Sequence, residues 1–289
     1  ITQLANISNQ LQQTVAASER VFEFLDEEEE TVYEPVTTIK EANVEGNIRF
    51  DHVRFGYDDS EDVVIKDFSA DVKAGQKVAI VGPTGAGKTT MVKLLMRFYD
   101  LKSGAIYLDG HNLTDFSRQD LRSEFGMVLQ DTWLYNGTIM DNIRYGRMDA
   151  TDEEVIAAAK AAQVDHFVRT LEGGYSMVLN EEASNVSQGQ KQLLTIARAI
   201  LSDSKVMILD EATSSVDTRT EILIQKAMDN LMRGRTSFII AHRLSTIRNA
   251  DLILCMRDGD IVEQGTHDEL MAKGGFYAAL YNSQFEKVA

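Results

Sequence analysis

Cysteine is nearly absent from this chain: Cys255 is the only one in 289 residues, so no internal disulfide can form and a reducing compartment is the natural setting. That thiol reads as a small core side chain. Positive charge is scarce as well, with 29 Lys and Arg against 45 Asp and Glu and a formal net charge of −16. Such a surface repels a nucleic-acid backbone, and no basic cluster stands out against it, so no nucleic-acid partner is expected. Long apolar runs are missing too. The candidates, such as 78–81 and 206–209, are strand-sized, far short of the roughly 20 residues that span a bilayer, and the chain as given is expected to be soluble. It begins with Ile1 and shows neither a basic n-region nor an apolar h-region, so we expect no signal peptide and read the chain as part of something longer. What is present is ordinary globular composition, 44% hydrophobic and 26% charged, which supports a substantial core.

Over residues 1–25 apolar side chains recur at Leu4, Ile7, Leu11, Val15, Val21, Phe22 and Leu25, mostly the spacing of one helix face. The acidic run 26–30 then repels itself when compact and reads as a solvated linker, with Pro35 just beyond it. A domain boundary is expected near 26–45, separating a helical extension with its linker (1–30) from a main domain (31–289). In the main domain the patterns predict strands at 47–55, 63–72, 77–81, 126–129, 205–209 and 236–240, and helices at 88–98 and 218–231. Interleaved strands and helices predict an α/β fold with a largely parallel sheet covered on both faces. Between 131 and 187 the reading is mainly helical, with helices at 152–162 and 165–171, which predicts a helical insertion in that core.

The sharpest chemical signal is Gly82-Pro83-Thr84-Gly85-Ala86-Gly87-Lys88-Thr89, which fits G-x-x-x-x-G-K-[ST] at every fixed position. A strand precedes it and a helix follows, so N–H groups at the helix start can surround phosphates while the helix dipole favours their charge. Lys88 is positioned to reach the β- and γ-phosphates, the Thr89 hydroxyl to ligate Mg²⁺, and Thr90 extends the nucleotide-binding stretch. Residues 206–209 form an apolar strand ending in Asp210-Glu211, and two adjacent like charges there cost free energy unless a cation or a reaction uses them. Asp210 suits the Mg²⁺ shell and Glu211 the activation of water. Alone, such a pair is an ordinary solvated loop start; beside the phosphate loop it points to a P-loop nucleotide hydrolase.

The segment Asn185-Val186-Ser187-Gln188-Gly189-Gln190 resembles the L-S-G-G-Q signature of ABC ATPases, with Val186 for Leu and Gln188 for the first Gly. Asn180-Glu181-Glu182-Ala183 stands where exporters of that family carry Gly-Glu-x-Gly. Taken alone, Ser187 is an N-cap. The resemblance implies instead that Ser187, Gly189 and Gln190 bind the γ-phosphate of ATP held by an opposite subunit. It further implies that Tyr57, in Phe55-Gly56-Tyr57, stacks the adenine, and that Gln130 contacts Mg²⁺ and the lytic water. Ser214-Ser215-Val216-Asp217 resembles the loop crossing to the partner, and His242 resembles the switch histidine at the γ-phosphate.

Gln130–Ile139 with Asp141-Asn142-Ile143 looks like the exporter segment that receives loops of a membrane domain, whereas simple core packing is the plain account of Trp133, Leu134 and Tyr135. Residues 241–246, 250–251 and 263–267 also read like exporter text, and 1–25 resembles the end of the last membrane helix. The implied fold is a P-loop core of ABC-ATPase type with an antiparallel β subdomain and a helical subdomain around 131–187. The implied activity is ATP hydrolysis with Mg²⁺ at the cytoplasmic face of a membrane. Its partners are a second nucleotide-binding domain, identical or homologous, and the exporter's membrane domain. A weakly hydrolysing regulatory subunit and a soluble ABC ATPase are the rival expectations.

Overall fold

The computed structural model describes residues 2–27, 29, 34–57, 62–180, 183–210, 216–241 and 243–285. The chain falls into two compact units, 1–34 and 35–289. The first holds helix α1 (Thr2–Leu25), which contains neither Gly nor Pro; Thr14 and Ser18 turn their hydroxyls back to the carbonyls of Gln10 and Thr14. Its apolar stripe of Ile7, Leu11, Val15, Val21, Phe22 and Leu25 is exposed. No helix among the described residues is long and apolar enough to cross a membrane.

In the second unit the strands are β1 (Ile48–Phe55), β2 (Ile65–Val72), β3 (Lys77–Val81), β4 (Ser103–Leu108), β5 (His111–Asn112), β6 (Phe125–Val128), β7 (Gly137–Thr138), β8 (Val178–Leu179), β9 (Val206–Asp210), β10 (Thr236–Ile240), β11 (Leu252–Arg257) and β12 (Asp260–Gly265). Among the described residues ten of these form one sheet in the order β5-β4-β1-β2-β12-β11-β3-β10-β9-β6, and β7 pairs with β8. Strands β11, β3, β10, β9 and β6 run parallel, whereas β1, β2, β4 and β5 pair antiparallel. Burial follows this division. Strands β3, β9 and β10 are buried almost throughout, as a sheet covered on both faces requires, while β1 and β2 alternate buried and exposed positions. Along β3, Val78 and Ile80 enter the core shared with the antiparallel strands, and Ala79 and Val81 enter the core shared with the helices.

The antiparallel and parallel halves meet at a short seam: β12 and β2 share the single pair Asp260↔Asp67. Other ties reinforce it. The buried Thr236 hydroxyl donates to Gly46 O at 2.7 Å and accepts from Gly75 N at 3.0 Å, and Lys66 N donates to Gly259 O.

The helices are α2 (Ile39–Ala42), α3 (Lys88–Leu95), α4 (Arg118–Ser123), α5 (Ile139–Arg144), α6 (Asp152–Ala161), α7 (Asp165–Thr170), α8 (Gln188–Ser202), α9 (Thr218–Met232), α10 (Leu244–Arg248), α11 (His267–Lys273) and α12 (Phe276–Phe285). Helix α3 stops three residues short of its predicted end at 98. Arg97 takes φ 51, and its buried guanidinium donates to the carbonyls of Leu113 and Phe116, a long-range demand that local pattern does not carry. The predicted strand 126–129 begins one residue earlier, at Phe125. The β11–β12 hairpin and the helices after it were not resolved as elements by periodicity.

Cys255 is a core residue, as expected, fully buried in β11 and paired across the hairpin with Glu263. Burial pushes its thiol up to about 12, with the Glu263 charge adding and Arg257 opposing. A raised thiol pKa withholds the reactive thiolate. A small disulfide reagent at pH 8 should therefore modify the native chain at least roughly 10²-fold more slowly than the same chain in denaturant.

Candidate functional site

The parallel strands β3, β9 and β10 end side by side, with Ile240 level with both Ile80 and Asp210, and β6 lies beside β9. Loops leaving one edge of a parallel sheet form a crevice, the usual position for a ligand in such folds. A cleft of about 430 Å³ opens there, lined by Val64, Thr84, Gly85, Gly87, Lys88, Thr89, Thr90, Gln130, Asp210 and Ile240. The structure thus brings together Thr84, Gly85 and 87–90 of the phosphate loop with Gln130 and Asp210, from three separate stretches, whereas Tyr57, Gly82, Pro83 and Ala86 do not line the cleft. Val64 and Ile240 were missed. Ile240 was readable as the last residue of a central parallel strand, whereas nothing in the sequence signals Val64.

The loop 82–87 is shaped by what it passes. Gly82 (φ 155) lies against the carbonyl of Met256, where any Cβ would strike it, and a Cβ on Gly87 (φ 97) would sit 2.7 Å from Cδ1 of Ile65. Gly85 (φ 83) faces open space, with nothing within 4 Å of where its Cβ would be. Lys88 curls back and its Nζ donates to Gly82 O at 2.7 Å and Pro83 O at 2.9 Å. Burial lowers the Lys88 pKa, and the Asp210 carboxylate opposes that shift. The Ala86 side chain is buried behind the turn, whereas Pro83 and Thr84 are exposed. Helix α3 starts at Gly87 without a side-chain cap, in contrast to α4, α5, α6, α8 and α11, each capped by Ser or Thr. An uncapped helix start suits an anion.

Tyr57 is held edge-on to Phe55 (4.9 Å, 83°) and Tyr99 (5.1 Å, 89°), and its hydroxyl lies 3.0 Å from that of Thr90. Thr90 therefore joins the ring to the phosphate loop, and its buried position reflects that contact as much as the cleft. The side-chain ligands that the lining offers are oxygens, from Thr84, Thr89, Thr90, Gln130 and Asp210, a hard donor set that fits Mg²⁺ better than a softer metal.

Ser187, Gly189 and Gln190 do not line this cleft. Ser187 is the N-cap of α8 in a reciprocal box with Gln190: Ser187 Oγ accepts from Gln190 N, and Gln190 Oε1 accepts from Ser187 N at 2.8 Å. Gly189 is buried where a Cβ would run into the Thr220 methyl of α9 and sit 2.9 Å from Val216 Cγ1, a packing duty that its motif position did not announce. Val186 is buried in the core, as a Leu would be. Glu181, Glu182, Glu211, Ser214, Ser215 and His242 lie outside the described residues. Packing accounts for Leu134, which is buried, but not for Trp133, which is 58% exposed.

Residues 65–214 match the sequence profile described as ABC transporter. The chain belongs to that family. It is 56% identical over 277 residues to a fatty acid ABC transporter ATP-binding/permease protein of Mycobacterium bovis, covering 96% of this chain and 43% of that protein. It is 41% identical over 287 residues to an ATP-dependent lipid A-core flippase of Syntrophus aciditrophicus, covering 99% of this chain and 47% of the flippase. The structure of a bacterial Atm1-family ABC exporter with ATP bound superposes with a TM-score of 0.83 at 38% identity, over 95% of this chain and 48% of that one. The chain thus spans less than half the length of the relatives it matches. Its mixed sheet and flanking helices are the ABC ATPase fold.

The Lys88–Asp210 pairing gives a test of the site's electrostatics. A nearby carboxylate favours the ammonium, so its removal leaves burial unopposed and the amine loses its proton at lower pH. In Asp210→Asn the Lys88 titration, followed by NMR at Nζ, should shift to lower pH than in the parent chain.

Proposed function

We propose that this chain is the ATP-binding and ATP-hydrolysing motor domain of an ABC exporter, working at the cytoplasmic face of a membrane by head-to-tail closure with a second such domain, identical or homologous. The observation that carries this reading is the convergence of Lys88, Thr89, Gln130 and Asp210 on one cleft beneath an uncapped helix start. The exporter names of the relatives and the ATP-bound structural neighbour support it.

In this reading Tyr57 stacks the purine, and residues 82–90 wrap the phosphates with their N–H groups. Lys88 leaves the carbonyls of Gly82 and Pro83 to bond the β- and γ-phosphate oxygens. Thr89, Gln130 and Asp210 would hold Mg²⁺, which would supply positive charge against that developing on the phosphates. Glu211 accepts the proton of the attacking water, Gln130 orients that water, and His242 donates toward the γ-phosphate. Ser187, Gly189 and Gln190 serve the nucleotide of the partner, which accounts for their lying outside this chain's own cleft. The membrane domain of the same exporter is the second partner and docks on the 131–143 segment.

Lys88→Ala removes the cation that meets the phosphates, and ATP affinity measured by titration should fall at least tenfold; an unchanged affinity and turnover would remove the phosphate-loop assignment. Glu211→Gln keeps size and hydrogen bonding but deletes the base, so turnover should fall by roughly 10²–10⁴ while binding survives. That variant should also accumulate with Mg-ATP as a dimer in size-exclusion chromatography. In the parent chain turnover per molecule should rise with protein concentration, because each site needs Ser187 of another copy. Strict proportionality in a verified monomer would exclude the shared site, and a parent with no turnover at high concentration would favour the regulatory-subunit reading.

A further inference from the structure

Residues 132 and 133 are held against α8 by two long side chains. Gln188, the residue after the N-cap Ser187, donates from Nε2 to Thr132 Oγ1 at 3.1 Å. Ten positions further along the same helix, about 15 Å at 1.5 Å per residue, Arg198 donates from Nη1 to Trp133 O at 3.1 Å. Consecutive residues are therefore gripped from well-separated points on one helix. The Arg198 guanidinium also lies 5.8 Å from the Trp133 ring and 5.2 Å from the Tyr145 ring, and its Nε donates to Asn142 O at 2.9 Å. Asn142 is fully buried and fixes the next stretch, accepting from Tyr135 N and donating to the carbonyls of Tyr135 and Thr138.

A small signature residue at 188, as the first Gly of L-S-G-G-Q would be, has no side chain with which to reach Thr132. The departure from the motif thus creates a contact. At one end of α8 is Ser187, and at the other end of the linkage are the exposed rings of Trp133 and Tyr145. The segment and the helix are thus tied at two points rather than one.

We infer that Gln188 and Arg198 are positioning residues that fasten Thr132 and Trp133 to helix α8, so that Trp133 and Ser187 shift together when the second nucleotide site forms. This inference rests on the reading of Ser187 under Proposed function. Gln188 touches no reacting atom in it; the residue acts through Thr132.

Trp133 is the only tryptophan of the chain, so its emission reports this segment alone. The experiment uses the full chain carrying Glu211→Gln, titrated with Mg-ATP, with dimer followed by size-exclusion chromatography and Trp133 emission followed in parallel. Thr132→Val and Gln188→Met each delete the contact at near-constant shape, and a third variant combines them. The expected result is an emission change that tracks dimer formation in the parent. In each single variant that change should be lost, or require about 2- to 10-fold more ATP, the range one net hydrogen bond accounts for. The double variant should be no worse than the worse single one. Affinity for a fluorescent ATP analogue at a dilution that keeps the chain monomeric should be unchanged in Thr132→Val.

A parent that dimerises with no change in Trp133 emission overturns the inference, as do single variants that respond like the parent or a double variant whose losses add. Altered affinity of monomeric Thr132→Val would assign the contact to the chain's own cleft and overturn it equally. A parent that neither dimerises nor changes emission defeats the reading of Ser187, and the inference falls with it.

Discussion

The close approach of Gly82 to the carbonyl of Met256 is the constraint around which the site is built. Strand β3 can pair with β11 as far as Val81↔Cys255 only because the next residue brings no side chain into that gap. Gly87 makes the same concession to Ile65 on the other side of the turn. The loop is therefore narrow because two strands press on it, and the start of α3 is aimed by the sheet rather than by a cap of its own. A turn held in this way needs little rearrangement to receive an anion, which limits the ordering cost of binding.

Charge works on two scales here. The chain as a whole is acidic, with a net charge of −16, and this field opposes the approach of a polyanion. At physiological salt such long-range repulsion is screened within roughly 8 Å, whereas groups inside a cleft interact with far less screening. The local arrangement therefore dominates. Burial disfavours the Lys88 ammonium, the Asp210 carboxylate favours it, and the two loop carbonyls bonded to Nζ offer the charge partners that an incoming phosphate can replace.

Local patterns revealed much of the α/β core because buried parallel strands and their helices carry strong periodicity. The phosphate loop and Asp210 were legible as motifs and Gln130 through the family resemblance, and the structure brings Gln130, Asp210 and most of the loop to one cleft. What escaped was set by distant contacts. The early end of α3 depends on carbonyls at Leu113 and Phe116, and Val64 enters the cleft through the sheet rather than through any motif. Gly189 looked like a ligand-binding glycine, yet its lack of a side chain is also demanded by Thr220 of α9, thirty-one positions away in sequence. Trp133 went the other way: plain core packing was one account of it, yet it stands at the surface with its ring 5.8 Å from the Arg198 guanidinium and 6.0 Å from the Tyr145 ring.

The bond between the hydroxyls of Tyr57 and Thr90 crosses from the antiparallel half of the sheet to the helix that starts at the phosphate loop. The strand seam is only one residue pair long, and the bonds of Thr236 and a shared buried core join the two halves beside it. The hydroxyl contact adds a tie next to the phosphate loop, since Thr90 is the immediate neighbour of Thr89. In the proposed reading, ring and loop form a calliper whose jaws are set by a single turn of α3, so that a nucleotide gripped at both ends is measured for length as well as for charge.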